Sequence, residues 1–292
     1  MATTIFVIGA SGHVGAALIE ALAGKDVRVI AGASDAQSAA RLAAKGLRSV
    51  QIDLGERATL VRAFEGVERL FLMTPLCERM TEQAANAITA ARETGVAHIV
   101  RSSGLGASTT TDFKLGSVQG GIDAILRASG VPFTLLLPNC FMQNFRDYYG
   151  RMIVGSDMVY LPQGAGKTSL VDVRDVGACA AAVLLAPREH VGRAYDLTGP
   201  EALSGGEVAT IIGEARGVPV TYMDVPDLVA RGAALKSGQP AWNVDMLLSL
   251  FAYIKAGKAA AVTDAVRSLT GRNPRTFKDY ARENAAAWET AL

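Results

Sequence analysis

Three glycines near the start of the chain are spaced in a way that suits phosphate binding. Gly9, Gly12 and Gly15 follow an apolar segment typical of a β-strand and lead into a segment with helical periodicity. A loop between a strand and a helix presents backbone N–H groups and the positive end of the helix dipole to an anion. Gly9 would permit the tight turn, Gly12 would let the backbone approach a pyrophosphate, and Gly15 would let the helix pack against the strand. The spacing alone is weak evidence, because a glycine-rich turn without a ligand explains an isolated match equally well.

The elements around this loop strengthen the phosphate-binding interpretation. Short apolar segments alternate with segments of helical periodicity, an order typical of right-handed βαβ units with a parallel sheet. We therefore predict an α/β fold, a Rossmann-type doubly wound parallel sheet with a smaller, mostly helical C-terminal lobe, and a dinucleotide bound at the glycine loop. The predicted strands are 4–9, 26–32, 47–53, 67–73, 97–103 and 132–138, and the predicted helices are 13–23, 35–45, 56–65, 79–94 and 117–129.

The second half of the chain is less regular and is predicted to supply the smaller lobe. Residues 1–155 are assigned to the dinucleotide-binding domain, to which 168–187 is expected to return, and 188–292 to the C-terminal substrate lobe. Within this lobe, Ser204 and Glu207 have the spacing of a capping box, in which each side chain binds the backbone N–H group of the other residue. We therefore expect a helix to begin directly after Ser204.

Polar residues follow several predicted strands, at the edge of the sheet where ligands of open α/β folds bind. Asp53 either accepts a hydrogen bond from an adenine amino group or caps the next helix, and Leu54 could cover the adenine ring. His13 either contacts phosphate or points into solvent. The ends of the fourth and fifth strands border the expected path of the nicotinamide ribose. The residues predicted on these grounds to bind the cofactor are Gly9, Ser11, Gly12, His13, Val14, Gly15, Ser34, Asp53, Leu54, Thr74, Pro75, Ser102 and Ser103.

The end of the second strand normally selects between the two nicotinamide dinucleotides. A carboxylate there binds the free ribose diol of NAD(H), whereas an arginine accommodates the 2′-phosphate of NADP(H). Gly32 and Ala33 stand where either residue is expected. Asp35 comes slightly late, while Ser34 and Arg41 could reach a phosphate. We therefore predict poor discrimination, with NADP(H) slightly preferred over NAD(H).

The composition argues against several other classes of function. The formal net charge is +1 and the basic residues are scattered, which gives no support for binding to nucleic acid. The three cysteines and three histidines lie far apart in the sequence, so we expect neither a disulfide framework nor a metal site. No apolar run approaches the roughly 20 residues that span a bilayer, and no signal peptide is evident. We expect a cytoplasmic protein, a monomer or a homodimer, that acts on a small molecule away from membranes.

Five blocks, in order along nearly the whole chain, resemble the NmrA-like atypical short-chain dehydrogenase/reductases, in particular type-2 NAD(P)H:quinone oxidoreductases and triphenylmethane reductase. The resemblance implies a Rossmann domain and a small substrate lobe. It also implies hydride transfer from the nicotinamide directly to a quinone, dye or enone-like acceptor, without flavin or metal. The blocks are "IFVIGASGHVG", "IDLGERATLVRAFEGVERLFLMTP", "ASGVPFTLLLPNCFMQNF", "LVDVRDVGACAAAVLL" and "GRAYDLTGPEALSGGEVATIIGEARGVPV".

The same resemblance assigns further residues to the site. Asn139, Cys140 and Phe141 belong to a motif that borders the nicotinamide in relatives, although a small packed thiol is the alternative interpretation of Cys140. An apolar pocket is expected for an aromatic acceptor, and its aromatic candidates could instead belong to the core. The candidates for this pocket are Asn144, Tyr148 and Trp242, and Tyr149 and Phe251 are further candidates.

The chain departs from the family where a proton donor is expected. Many short-chain dehydrogenases carry a Tyr-x-x-x-Lys pair, and the corresponding positions here hold Leu115 and Gln119. Gln119 can orient an acceptor oxygen or a water but cannot titrate, and Lys114 is either an acid or a solvated loop lysine. Because general acid–base assistance typically contributes about 10²–10⁴-fold, we expect acceptors whose reduced anion is delocalised: quinone-like, azo or conjugated aromatic compounds.

The missing proton donors also leave a second hypothesis open. The chain could be a non-catalytic, NAD(P)-binding redox sensor, a regulator of the NmrA type. The intact glycine loop and the C-terminal lobe argue for the reductase, because a sensor has no need of a closed substrate pocket.

Overall fold

A seven-stranded sheet dominates the computed structural model, which describes residues 2–289. The strands are β1 (Thr3–Val7), β2 (Val27–Ala33), β3 (Arg48–Gln51), β4 (Arg69–Leu72), β5 (His98–Ser102), β6 (Phe133–Pro138), β7 (Met158–Leu161), β8 (Lys167–Thr168), β9 (Ala194–Leu197), β10 (Leu203–Ser204) and β11 (Thr221–Asp224). The α-helices are α1 (His13–Leu22), α2 (Ala36–Ala44), α3 (Arg57–Phe64), α4 (Met80–Glu93), α5 (Lys114–Ala128), α6 (Asn144–Asp147), α7 (Gly150–Ser156), α8 (Val173–Leu185), α9 (Gly205–Arg216), α10 (Asp227–Lys236), α11 (Ala241–Lys255), α12 (Ala265–Thr270) and α13 (Phe277–Glu283). Two short 3₁₀ helices cover Pro187–His190 and Ala285–Trp288.

The strand order of the large sheet is β3-β2-β1-β4-β5-β6-β9. The neighbouring pairs from β3 through β6 are all parallel, as right-handed crossovers through helices require. The order reverses direction at β1, so the carboxyl ends of β1 and β4 flank the switch point where dinucleotides bind in such sheets. The predicted doubly wound, Rossmann-type sheet is confirmed.

The backbone contacts divide the chain into two compact units. The sequence-based assignment grouped 111–116, 138–155 and 168–175 with the dinucleotide-binding domain and 188–195 with the C-terminal lobe, whereas the contacts group each with the other unit. The functional domain boundary therefore stays a prediction. Within the described residues, unit 1 comprises 2–110, 117–137 and 176–195, and unit 2 comprises 111–116, 138–175 and 196–289.

Unit 1 is built on strands that are covered on both faces. Ile5, Phe6 and Val7 of β1 are fully buried, which explains why this part of the strand is apolar at successive positions rather than alternating. Phe6 packs edge-to-face against Phe64 of α3, with the ring centroids 5.1 Å apart. These contacts fix the strand that ends in the glycine loop.

Unit 2 has its own core, formed around α9, α11, α13 and the two-stranded parallel sheet of β7 and β11. Trp288 is fully buried in this core, and its indole N–H donates a 2.8 Å hydrogen bond to the carbonyl of Phe145. The helix predicted after Ser204 begins at Gly205, and both hydrogen bonds of the capping box with Glu207 are present. That prediction is confirmed.

The chain between residues 2 and 289 lacks two kinds of feature. No helix there has both the length and the apolar character needed to cross a membrane. No three histidine, cysteine or carboxylate side chains in that range are grouped so that they could hold a metal ion.

Candidate functional site

Two of the three loop glycines are required by the fold itself. Gly9 has a φ of +80°, in the left-handed region that favours glycine, and its carbonyl accepts a 3.0 Å hydrogen bond from the N–H of Gly12. A Cβ on Gly15 would lie 2.2 Å from the carbonyl oxygen of Gly9, so only glycine lets α1 approach the loop this closely. The sequence-based roles of Gly9 in the turn and Gly15 in packing agree with this geometry.

Gly12 differs, because nothing among residues 2–289 requires a glycine there. Its φ of −84° and ψ of 170° are open to any residue, and an added Cβ would make only an ordinary 3.4 Å contact with the Gly9 oxygen. Gly12 is the N-cap of α1, yet no side chain caps this helix and no acidic residue lies in its first turn. The glycine thus keeps clear a space at a positive helix end, and this arrangement fits a bound diphosphate.

Other residues of the loop differ in what they expose. Ser11 and His13 are exposed, so both side chains can reach a bound phosphate. Val14 points into the core and is buried, which leaves only its backbone N–H for a ligand. After β4, Thr74 is half-buried and Pro75 is exposed.

The end of β2 corrects the expectation about Gly32. This glycine is buried inside the strand, and an added Cβ would lie 2.9 Å from side-chain carbons of both Phe6 and Ile52. Neither an arginine nor a carboxylate could be accommodated there. The strand runs to Ala33, which is also buried, so Ser34 is the first exposed position.

Asp35 caps α2 and brings a carboxylate to the end of β2. Its side chain accepts hydrogen bonds from the N–H of Ser38 at 2.7 Å and from the hydroxyl of Ser34 at 2.9 Å. The first of these bonds contributes most to holding the pKa of the Asp35 carboxyl below its ordinary value. Arg41 donates to the Ser38 hydroxyl at 3.0 Å. An acidic and a basic group therefore both lie near Ser34.

Asp53 does not cap α3, which was one of its two expected roles. Its Oδ1 accepts a 2.8 Å hydrogen bond from the N–H of Gly55 within its own loop, and the N-cap position of α3 is Glu56. The adenine-binding role of Asp53 stays a prediction. Leu54 beside it is half-buried, and its carbonyl accepts a 3.0 Å hydrogen bond from Asn86.

A buried ionic network lies at the carboxyl end of β5. Arg101 of β5 forms an ion pair with Asp123 of α5, and their side chains are only 2% and 8% exposed. The hydroxyl of Ser103 donates to the second carboxylate oxygen of Asp123 at 2.8 Å, and Arg101 Nη2 donates to Gln119 Oε1 at 2.5 Å. Burial raises the pKa of the Asp123 carboxyl, and Arg101 and Ser103 oppose this shift by stabilising the carboxylate.

Sequence reasoning missed Arg101 and Asp123. The available signal was an arginine inside "HIVRSS", a strand otherwise expected to be covered by apolar groups on both faces. A buried arginine needs a partner, and a carboxylate one turn after Gln119 on the following helix was a candidate.

Ser102, next to this network, carries an unsatisfied hydroxyl. Its side chain is buried, and within the described part of the chain its Oγ has no hydrogen-bond partner. Leaving a buried hydroxyl unpaired costs about 1–3 kcal/mol, so a ligand that binds it relieves that cost. Ser102 therefore fits its predicted place near a cofactor ribose.

Lys114 is 62% exposed and donates to Asp245 of unit 2 at 3.3 Å. This geometry matches the solvated-lysine alternative better than a proton donor in a closed site.

Asn139 is buried, and its amide donates 2.8 Å hydrogen bonds to the Ser169 hydroxyl and the Ala259 carbonyl. Both amide hydrogens are thus engaged inside unit 2. Phe141 is half-buried and its backbone bridges to Val171.

Unit 2 contains a mostly apolar cavity of about 50 Å³. Asn144 lines it, whereas Tyr148 is 76% exposed and Trp242 lies outside its lining, and the substrate-pocket role of all three stays a prediction. Burial raises the pKa of the Cys140 thiol to about 12, which makes it a neutral packed group. Residues that line the cavity include Cys140, Asn144, Tyr149, Gln163, Thr168 and Phe251.

Two lining side chains bear on what the cavity can bind. Thr168 is buried, and its hydroxyl has no hydrogen-bond partner among residues 2–289. Burial raises the pKa of Tyr149 above its ordinary value. The cavity therefore offers apolar contacts and neutral hydrogen-bonding groups, and its titratable side chains Cys140 and Tyr149 are held neutral near pH 7.

The sequence profile of the NmrA-like family matches residues 1–270. An NAD(P)H azoreductase of Xenophilus azovorans is 36% identical over 287 residues, which cover 98% of this chain and all of that protein. Among solved structures, an NADPH-dependent quinone oxidoreductase of Escherichia coli in complex with NADPH superposes with a TM-score of 0.86 at 26% identity, covering 96% of this chain and 99% of that one. Triphenylmethane reductase of Citrobacter has the same fold, with a TM-score of 0.84 at 24% identity over 96% and 99% of the two chains.

Proposed function

This chain belongs to the NmrA-like family, and we propose that it is an NAD(P)H-dependent reductase that passes a hydride to quinone-like, azo or conjugated aromatic acceptors. The observation that carries the proposal is Gly12, whose hydrogen side chain clears space at an uncapped helix end although the fold does not need a glycine there. The relatives named for azo and quinone reduction support the acceptor class.

The residues of unit 1 that would hold the cofactor act on its phosphates and riboses. The N–H groups at the start of α1 bind the pyrophosphate, and the exposed Ser11 and His13 add side-chain contacts. The unpaired hydroxyl of Ser102 binds a ribose oxygen. The bound dinucleotide supplies the hydride, and the protein's part is to position it.

No titrating donor is needed for the acceptors proposed. Burial raises the pKa of the Cys140 thiol to about 12, and Gln119 stands where many short-chain dehydrogenases carry the lysine of the Tyr-x-x-x-Lys pair. A hydroquinone anion delocalises its charge and is protonated by water, so a neutral hydrogen-bond donor is sufficient. An unactivated ketone would require a proton in the transition state and should react poorly.

The apolar cavity of unit 2 is the candidate site for the aromatic part of an acceptor. At about 50 Å³ it is smaller than the roughly 150 Å³ cavity that admits benzene in a protein core. Side chains such as Tyr149 or Phe251 must therefore move for a ring to enter. The unpaired Thr168 hydroxyl would then bind a polar substituent.

Both dinucleotides are expected to serve, with NADPH slightly preferred. Ser34 and Arg41 can bind a 2′-phosphate, while the carboxylate of Asp35 beside Ser34 opposes it and can accept from a free ribose diol. These opposing charges keep the discrimination small.

The test is oxidation of NADPH and NADH by the purified protein with a panel of quinones, azo dyes and simple aliphatic ketones. We expect turnover with the first two classes and little with the ketones. No oxidation with any acceptor would overturn the reductase. Binding of NADPH in calorimetry without any turnover would instead support the redox-sensing alternative, which the lack of a proton donor favours.

A further inference from the structure

The buried pair of Arg101 and Asp123 fixes the orientation of the Gln119 side-chain amide. A guanidinium has only donors, so the amide of Gln119 must present its carbonyl oxygen to Arg101 Nη2. The other end of the amide, Nε2, carries only donors and must point away from the guanidinium. Gln119 therefore cannot flip to offer an acceptor without breaking a hydrogen bond to a buried charge.

Gln119 lies at the edge of the sheet where ligands of open α/β folds bind. The residue is half-buried, and its Cγ lies 3.9 Å from where a Cβ on Gly104 would stand, just beyond the carboxyl end of β5. Ligands of open α/β sheets bind outside these strand ends. A donor fixed at this edge can bind an oxygen or nitrogen on which negative charge develops, where an acceptor atom would repel it.

The ionic pair is difficult to explain by stability alone. Two charges with side chains 2% and 8% exposed have lost their hydration, and replacing such a pair with apolar residues is often neutral or stabilising. A pair retained for orientation must contact the group it orients, and Arg101 does so. The same hydrogen bond polarises the amide and strengthens Nε2–H as a donor.

We propose that Arg101 and Asp123 are positioning residues that hold Gln119 as an obligate hydrogen-bond donor to the hydride acceptor, an inference that rests on the proposed reductase function. Asp123 anchors the guanidinium, Ser103 anchors Asp123, and Arg101 sets the amide. The donor stabilises the anion formed when the hydride arrives at a quinone or azo group.

The experiment is a double-mutant cycle on kcat with one quinone acceptor. The network variant carries Arg101→Met and Asp123→Leu together, so that no unpaired charge stays buried. The second variant is Gln119→Leu, and the third combines all three changes. We expect the network variant and Gln119→Leu each to lower kcat roughly three- to tenfold, the loss of about one hydrogen bond. The combined variant should lose no more than Gln119→Leu alone.

The NADPH dissociation constant, measured by calorimetry, is the control and should change less than about twofold, a difference under 0.5 kcal/mol. An unchanged kcat in the network variant would overturn the proposal. It would also be overturned if the two network substitutions lowered kcat by the same factor in Gln119→Leu as in the wild type. If the network variant does not fold, Arg101→Lys is measured in its place. It keeps the charge beside Asp123 but lacks the fork that reaches both partners, so kcat should still fall. Full activity of Arg101→Lys would overturn the proposal, and absence of wild-type turnover with every acceptor would overturn it together with the proposed function.

Discussion

The N-termini of α1 and α9 differ in whether a side chain caps the first backbone N–H groups of the helix. At α9, Ser204 Oγ accepts from the N–H of Glu207 at 3.2 Å, and the Glu207 carboxylate accepts from the N–H of Ser204 at 2.7 Å. Lys167 adds a contact to the same carboxylate at 3.1 Å. At α1, the N-cap is Gly12, and the first turn contains neither a capping side chain nor an acid.

We interpret this difference as one between a structural helix end and the proposed phosphate site. Every α-helix begins with N–H groups that lack intrahelical partners, and a side-chain cap satisfies them at little cost. At α9 the Ser204 cap occupies this space and the carboxylate of Glu207 opposes an anion. The glycine at the start of α1 adds no side chain at this helix end, as the proposed phosphate site requires.

The largest expected effect comes from filling the space at α1. Gly12→Val should weaken NADPH binding at least about 100-fold, some 2.7 kcal/mol, because a branched side chain occupies the volume of the diphosphate. The fold should survive, since a Cβ there makes only a 3.4 Å contact with the Gly9 oxygen. Calorimetric titration with NADPH measures the loss.

Gly206→Val is the matched control, made at the second residue of α9. An added Cβ at Gly206 meets nothing closer than the Ser204 hydroxyl at 4.0 Å, so NADPH affinity should be unchanged. Equal affinities of the two variants would contradict the assignment of α1 as the phosphate site.

Removing the cap of α9 should affect stability and leave binding intact. Ser204→Ala deletes the side chain that accepts from the Glu207 N–H, and such losses typically cost about 1 kcal/mol. Urea unfolding would measure the change, and NADPH titration should show none. A variant that lost NADPH affinity without losing stability would contradict the structural role of this helix end.

The N-terminus of α2 lies between these two cases, since Asp35 caps it next to the predicted 2′-phosphate position. Asp35→Asn keeps an equally good cap but removes the charge. The NADPH-to-NADH preference in kcat/KM should rise by no more than about two- to fivefold, because water screens the interaction between exposed charges a few ångströms apart. High salt should shrink the change. A preference that does not move would exclude Asp35 from cofactor selection.

The smallest effect concerns the charge in the α9 cap. Hydrogen bonds from Ser204, the backbone N–H foremost, lower the pKa of Glu207 from 4.5 to about 2. A carboxyl with a lowered pKa stabilises the fold above its unfolded pKa, and this contribution disappears as the pH falls from about 5 toward 2. Compared with Glu207→Gln, the wild type should be more stable by a few tenths of a kcal/mol at pH 7, since the site is exposed to solvent. The difference in Tm should narrow by pH 3.5, and a difference that widened would contradict the assignment.

The sequence predicted what depends on local pattern. The alternation of strands and helices follows from short-range periodicity, and the predicted bounds lie within a few residues of those observed. The capping box of Ser204 and Glu207 needs only a three-residue spacing. The separate roles of Gly9 and Gly15 followed from the general geometry of a strand–loop–helix turn.

The sequence-based predictions were wrong or incomplete where the environment of a residue depends on side-chain direction or on contacts between distant parts of the chain. Gly32 was placed at the end of a strand that runs one residue further, so its buried setting was missed. The carboxylate of Asp35 turns back onto Ser34, which no spacing rule reveals. Arg101 and Asp123 are 22 residues apart, and only the packing of α5 on the sheet brings them together.

The most direct test of the α1 assignment gives this helix the cap that α9 has. Gly12→Asp places a carboxylate at an N-cap whose φ of −84° and ψ of 170° accept it. The apo protein should unfold at the same or a slightly higher temperature, since an aspartate N-cap is worth a few tenths of a kcal/mol more than glycine. Calorimetric titration with NADPH should detect no binding, because the carboxylate occupies and repels the phosphate position. NADPH affinity close to that of the wild type in this variant would contradict the account.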